Sequence, residues 1–341
     1  MKRDLKLDEF DYELPRRLIA QRPQSPRDGS RLMVLRRKTA TREHARFADL
    51  PGLVSERDLL VLNDSRVLPA RLAAVKETGG RIEVLLLDAL EGHVWRTLLK
   101  PGRRARAGDL LTVHPELLSI RVLDDPGSAV RQVRLIPAGN LQEVLEQVGR
   151  APLPPYIRRE VDSRDREAYQ TVYAARPGSA AAPTAGLHFT EALLSRLNHC
   201  KITLHVGYGT FQPVVADRVE DHRMHSEYYE VSAESARRIR RHRKAGGRVI
   251  AVGTTSTRVL EQVWLRHGDV VEDRGWTDLF VKPGFEFQGI DGLITNFHLP
   301  RTSLLLLVSA FAGYRLLKES YREAVDRGYR FYSYGDAMLI V

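Results

Sequence analysis

Between residues 71 and 137 the chain breaks into short runs rich in β-branched residues, at 81–87, 94–99, 110–113, 120–123 and 130–136. Gly79-Gly80, Pro101-Gly102, Gly108-Asp109 and Pro126-Gly127 separate them. Turn signals at that spacing predict a small antiparallel barrel or sandwich. A helix is expected over 141–148, where Leu141, Val144, Leu145 and Val148 share a face and Gly149 stops the pattern. Ala151-Pro-Leu-Pro-Pro155 reads as a stiff linker.

Elsewhere strands and helices alternate. Residues 58–61, 202–206, 249–252, 291–295 and 338–341 read as strands, with a turn expected at Asn63-Asp64. Helices are expected at 191–197, from the cap Ser232 to Lys244 before Gly246-Gly247, at 258–266, and as one long piece over 303–327. Residues 10–35, with Pro15, Pro23 and Pro26, read as short elements joined by turns. The alternation predicts an α/β class: an α/β core domain with an inserted small antiparallel β-barrel domain. The boundaries expected are 1–70 and 151–341 for the core, the catalytic part, and 71–150 for the barrel. A chain of 341 residues also favours two domains over one.

Composition narrows the chemistry. Hydrophobic residues at 43% and charged ones at 28% suit a globular chain able to bury a core. The single cysteine, Cys200, leaves no internal disulfide and no thiolate-rich zinc site, which points to a reducing compartment. Met1-Lys-Arg-Asp4 is not followed by an apolar leader, and the apolar run near Leu304–Val308 is too short to span a bilayer. The expectation is a soluble cytoplasmic protein without a membrane partner. A net charge of +10 suits a polyanionic partner, although an arginine-rich codon bias would produce the same balance.

Three local patterns carry candidate chemistry. In Val249-Ile-Ala-Val-Gly253-Thr254-Thr255-Ser256-Thr257-Arg258 a strand runs through a glycine and four hydroxyls into a helix. Unpaired N–H groups and the dipole at such a start favour a carboxylate or phosphate; the plain alternative is an ordinary cap. Pro183-Thr184-Ala-Gly186-Leu-His188-Phe189-Thr190 is a loop of small residues carrying one titratable group, so His188 is the acid/base candidate unless it is a satisfied core histidine. Asp278 and the pair Asn296 and His298 sit at the ends of strand-like runs, where α/β sheets present ligands. Residues 205–211 lack the third glycine of a dinucleotide loop, Gln212 standing there, and His222, His225 and Glu227 lack metal-site spacing, so no metal is expected. For RNA, the stretch 237–244 is the densest positive one, and Tyr156, Arg158, Arg159, Tyr169 and Tyr173 mix basic and aromatic groups.

Taken together, Tyr12-Glu-Leu-Pro15, Leu62-Asn-Asp-Ser-Arg-Val-Leu-Pro-Ala-Arg71, Tyr169-Gln-Thr-Val-Tyr173, Ala182-Pro-Thr-Ala-Gly-Leu-His-Phe-Thr190, residues 205–213 and 253–258, Ile294-Thr-Asn-Phe-His-Leu-Pro300 and Tyr329-Arg-Phe-Tyr-Ser-Tyr-Gly-Asp-Ala-Met338 resemble the QueA family. Its members are the S-adenosylmethionine:tRNA ribosyltransferase-isomerases of queuosine biosynthesis. The matching segments run almost end to end and in order. Two departures are Arg301-Thr302-Ser303, where serine is expected before threonine, and an arginine run at 237–244 heavier than the family's.

The resemblance implies that the donor's ribose passes to the aminomethyl group of a deazaguanine at the tRNA wobble position. Rearrangement to an epoxycyclopentanediol gives epoxyqueuosine-tRNA, with adenine and methionine released. S-adenosylmethionine would be a consumed substrate, with no metal or redox cofactor, and the protein a monomer. The chemistry needs a base beside the sulfonium and an acid at the adenine. His188 and Thr184 are the catalytic candidates. Gly186, Phe189, Gly253, Thr254, Thr255, Ser256, Arg258, Asp278, Asn296 and His298 are the candidates for the donor, and Arg66, Arg71, Tyr156, Arg158, Tyr169 and Tyr173 those for tRNA. A methyltransferase would share the donor but lacks support from a glycine-rich loop. A non-catalytic RNA-binding protein would explain the charge but not the polar strand ends.

Overall fold

A computed structural model describes residues 6–207 and 219–341. The start of the chain at Met1–Asp4 and the 208–213 part of the glycine-containing motif lie outside the described residues. In chain order the first strands are β1 (Arg31–Arg36), β2 (Thr41–Arg46), β3 (Asp58–Asn63) and the short β4 (Ser65–Val67). Six strands then follow in one stretch: β5 (Arg71–Lys76), β6 (Arg81–Ala89), β7 (Val94–Lys100), β8 (Leu110–His114), β9 (Leu118–Val122) and β10 (Val130–Pro137). The last group is β11 (Arg176–Ser179), β12 (His199–Leu204), β13 (Glu227–Val231), β14 (Arg248–Val252), β15 (Asp273–Thr277), β16 (Gly292–Asn296) and β17 (Ala337–Ile340).

Strands β5–β10 close into an antiparallel barrel in the order β10-β7-β6-β5-β8-β9, with β9 paired to β10. Closure leaves no free edge. Alternate residues point inward, so Ile82, Val84, Leu111, Ile120, Val133 and Leu135 form a core of the barrel's own. The helix Leu141–Val148 packs on it, capped by Asn140, whose side chain accepts from the N–H groups of Gln142 and Glu143.

The other strands form a nine-stranded mixed sheet ordered β15-β13-β12-β3-β14-β16-β17-β1-β2, with β4 and β11 paired separately. Its centre is parallel: β12, β3, β14 and β16 run the same way. That explains why β3 and β14 read as nearly continuous apolar runs rather than alternating ones. The α/β core with an antiparallel barrel is therefore the architecture present.

Two expectations are corrected. Residues 303–327 form two helices, Ser303–Ala312 and Tyr314–Asp326, because Gly313 at φ 89° breaks the hydrogen-bond ladder. The prolines at 152–155 do not make a free linker. Ala151 and Leu153 are buried with Tyr169, Leu187 and Tyr334, and Arg71 donates to the Leu153 carbonyl at 3.0 Å. No helix of the described residues is long and apolar enough to cross a membrane.

Candidate active site

Strands β12, β14 and β16 deliver their carboxyl ends to one cavity. Val206 follows β12, Gly253 follows β14, and Asn296 ends β16; all three line it, together with Thr184, His298 and Tyr332. This is the end at which an open parallel sheet offers its ligand site.

The helix Gly253–His267 starts directly on β14. The four hydroxyls therefore lie inside its first turns and not ahead of it, as the sequence suggested. Ser256 Oγ and Thr257 Oγ1 donate back to the carbonyls of Val252 and Gly253, at 2.9 and 3.2 Å. No side chain caps the helix, so its first N–H groups stay uncapped beside the cavity at Gly253 and Thr254. Gly253 has φ 92°, a backbone only glycine adopts freely. Asn63 holds this start in place. Its amide donates to the Leu204 carbonyl at 2.9 Å and to Thr255 Oγ1 at 3.3 Å, and its oxygen accepts from the backbone of Ser65 and Leu204. In the sequence Asn63 reads as a turn residue; only its place between three elements reveals its task.

His188 is 4% exposed and does not line the cavity. Asn296 donates its amide to Nε2 at 3.0 Å, so the ring proton sits on Nδ1 and goes to Ser30 Oγ at 2.7 Å. The ring stacks on Phe47 at 5.0 Å, and burial pushes its pKa down to about 4. Both nitrogens are thus engaged and the ring is neutral. Thr184 Oγ1 donates to the other end of the same amide, Asn296 Oδ1, at 3.0 Å. A hydrogen-bonded line runs Ser30, His188, Asn296, Thr184, and only its last two members reach the cavity wall.

His298 is the histidine that faces the cavity. Its Nε2 lies 2.8 Å from Thr295 Oγ1, and Nδ1 has no hydrogen-bond partner among the described residues. Burial lowers its pKa to about 3, so it too is neutral. Its backbone is pinned on both sides, the N–H donating to Tyr321 Oη at 2.9 Å and the carbonyl accepting from Tyr12 Oη. Tyr332, which also lines the cavity, has φ 73°, which a bulky aromatic residue keeps only when its surroundings hold it. Tyr332 and Ser333 lie in the motif 329–338, but no local pattern marked them as cavity residues.

The remaining candidates fall elsewhere. Phe189 is fully buried against Phe47, with ring centroids 4.9 Å apart. Gly186 is pressed on Tyr173: a Cβ there would sit 2.0 Å from the phenol oxygen, so packing accounts for this glycine. Arg258 is buried away from the cavity, paired with Glu227 and donating to the carbonyls of Leu279 and Thr277 at 3.0 and 3.2 Å. Asp278 is exposed beyond β15. Of the proposed RNA contacts, Tyr169 and Tyr173 are core residues at 1% and 6% exposure, and Tyr156 hydrogen-bonds Ser333. Arg71 pairs with Glu83 at 2.8 Å, Arg66 lies 3.5 Å from Glu146, and Arg158 is exposed. In the basic helix, Arg237, Arg238, Arg241 and Lys244 are exposed while Ala236 and Ile239 are buried. Among the described residues no group of three or more His, Cys, Asp or Glu side chains could hold a metal ion.

Comparison with known proteins adds an independent line. The family model described as "Queuosine biosynthesis protein" matches residues 7–340. The chain is 48% identical to the S-adenosylmethionine:tRNA ribosyltransferase-isomerase of Natranaerobius thermophilus, over 98% of this chain and 99% of that one. It is 50% identical to the protein of the same name from Symbiobacterium thermophilum, over 99% and 100% of the two chains. A crystal structure of S-adenosylmethionine tRNA ribosyltransferase from Thermotoga maritima is 39% identical, with a TM-score of 0.56 over 98% of this chain and 100% of that one.

Proposed function

The chain belongs to the queuosine biosynthesis protein family, and on that premise we propose that it is an S-adenosylmethionine:tRNA ribosyltransferase-isomerase whose donor binds in the cavity at the ends of β12, β14 and β16. The observation that carries the site is the meeting, on one cavity, of an uncapped helix start and a histidine whose Nδ1 has no hydrogen-bond partner among the described residues. The methionine carboxylate sits at the N–H groups of Gly253 and Thr254. Both residues are buried, a depth that suits a small ligand better than an RNA backbone phosphate. Thr184 and Asn296 supply hydroxyl and amide groups to the ribose, and Tyr332 an apolar wall to the adenine.

His298 moves the proton. Burial makes the neutral imidazole a weak base, so the step relies on the sulfonium to acidify the neighbouring carbon, whose proton the ring takes on Nδ1. The same burial makes the resulting imidazolium a strong acid, suited to hand the proton to the departing adenine. His188 acts through Asn296 and Thr184 as a positioning residue. The reaction then consumes S-adenosylmethionine without a further cofactor. We also take 71–150 as a domain inserted into the core formed by 1–70 and 151–341, working as a cytoplasmic monomer.

The test is a product analysis with tRNA bearing the aminomethyl deazaguanine. Adenine and methionine in equal amounts support the proposal. S-adenosylhomocysteine in their place would make the protein a methyltransferase.

A further inference from the structure

Trp276 is 66% exposed, while Trp95 is buried and Trp264 half-buried. An indole left in water gives up the burial that stabilises most large apolar side chains, so its position needs a reason. It sits on β15, the edge strand of the large sheet, directly opposite Tyr228 on β13. The two rings meet edge to face with centroids 5.8 Å apart, and Tyr228 in turn stacks on His205 at 6.0 Å and 20°. His205 is followed by Val206, which lines the cavity. A line of three aromatic rings therefore runs from the end of β12 to the outer edge of the sheet.

The inner end of this ladder is fixed. His205 Nδ1 lies 2.8 Å from Ser65 Oγ, and the Gly178 backbone lies so close that a Cβ there would stand 2.8 Å from the imidazole. Charged side chains of both signs flank the rings. Arg274 lies two residues from Trp276 on the same face of β15, and Arg176 and Lys201 line the adjoining groove. The acidic neighbours are Glu230, which lies opposite Arg274 across the two strands and 3.4 Å from Arg176, the exposed Asp278 two residues beyond Trp276, Asp64, buried and bonded to Thr203, and Glu234 in the same groove.

We propose that Trp276, backed by Tyr228 and His205, forms a stacking platform for unpaired bases of the RNA substrate next to the nucleotide that reacts. Every base has a π-face, so a ladder of rings binds single-stranded nucleotides whatever their sequence, and arginines beside it meet their phosphates. A protein partner would be expected to cover an apolar surface wider than one indole at a strand edge. The inference rests on the tRNA reading above and assigns the RNA path to a face that Tyr169 and Tyr173 cannot supply.

The experiment uses the full chain and an anticodon stem-loop carrying the aminomethyl deazaguanine. Stacking worth ~1–3 kcal/mol per base corresponds to roughly 5- to 140-fold in affinity. Trp276→Ala should raise the KM for RNA by a factor in that range, with kcat and the KM for S-adenosylmethionine unchanged. Trp276→Phe should restore most of the loss, and indole emission from the wild-type protein should be quenched by the stem-loop but not by a blunt duplex. An unchanged KM in Trp276→Ala overturns the platform, as does equal loss in the Ala and Phe variants. A dimer in sedimentation that dissociates in Trp276→Ala would show instead that a second copy covers the ring. The emission titration needs no turnover, so a protein that binds the loop yet releases no adenine would refute the proposed reaction while leaving the platform standing.

Discussion

Nε2 of His188 and the side-chain amide of Asn296 are joined by a 3.0 Å hydrogen bond, and that bond places the histidine behind the cavity wall instead of in it. Its other nitrogen is held by Ser30. His188→Ala should therefore leave two buried polar groups unpaired, costing ~1–3 kcal/mol of stability. Its effect on kcat should be small beside that of His298→Ala, for which the loss is ~10²–10⁴-fold with tRNA affinity retained. Melting curves and single-turnover rates on the two variants check this. A larger rate loss in His188→Ala than in His298→Ala would reverse the assignment.

Both histidines are held neutral by burial, with pKa values lowered from the usual 6.5 to about 4 and about 3. Between those values and 6.5 the unfolded chain binds protons that the folded one refuses, so stability rises with pH in that window. The contribution is fully present above pH 6.5 and is lost as pH falls toward 4. The melting temperature should drop over this range, and His188→Gln, which cannot titrate, should flatten the drop. A variant slope as steep as the wild type's would remove His188 from the explanation.

Gly186→Ala places a methyl group against Tyr173 Oη and Thr171 Cγ2, at 2.0 and 2.7 Å before any relaxation. Overpacking of this kind costs ~1–3 kcal/mol. Tyr173→Phe removes the nearest atom, so the double variant should recover part of the lost melting temperature. No recovery would mean that the glycine serves something other than this contact.

Gly253→Ala forces an alanine to φ 92° at the helix start, at a cost of ~1–3 kcal/mol. The proposed carboxylate site shifts with it, so the KM for S-adenosylmethionine should rise while the KM for tRNA stays put. Steady-state kinetics with each substrate varied in turn gives the comparison. A rise confined to the tRNA KM would place an RNA phosphate at this helix.

The fold was legible where spacing alone decides it. The turns at Gly79-Gly80, Pro101-Gly102, Gly108-Asp109 and Pro126-Gly127 mark barrel strands because a tight turn needs those residues wherever the chain lies. β13 and β15 were not legible, since Asp273-Arg-Gly-Trp-Thr277 is stabilised by its neighbour strand and carries no apolar run. Apolar positions continue on both sides of Gly313, so the sequence pattern hides the break that its φ shows. In the site, loop and helix-start residues were visible as chemistry, but which histidine meets the ligand depends on side-chain direction. His188 and His298 sit in equally suggestive motifs and are equally buried; the ring held by Phe47, Ser30 and Asn296 is sealed off, and the other lines the cavity.

In the proposed reaction the carbon skeleton of the donor's ribose ends on the tRNA. S-adenosylmethionine labelled with carbon-13 at all ribose positions, incubated with enzyme and tRNA bearing the aminomethyl deazaguanine, tests it in one digest. Mass spectrometry of the nucleosides should find every labelled ribose carbon in the modified base, with the adenine and methionine fractions unlabelled. Label recovered in S-adenosylhomocysteine, or a modified base without label, would rule out ribose transfer.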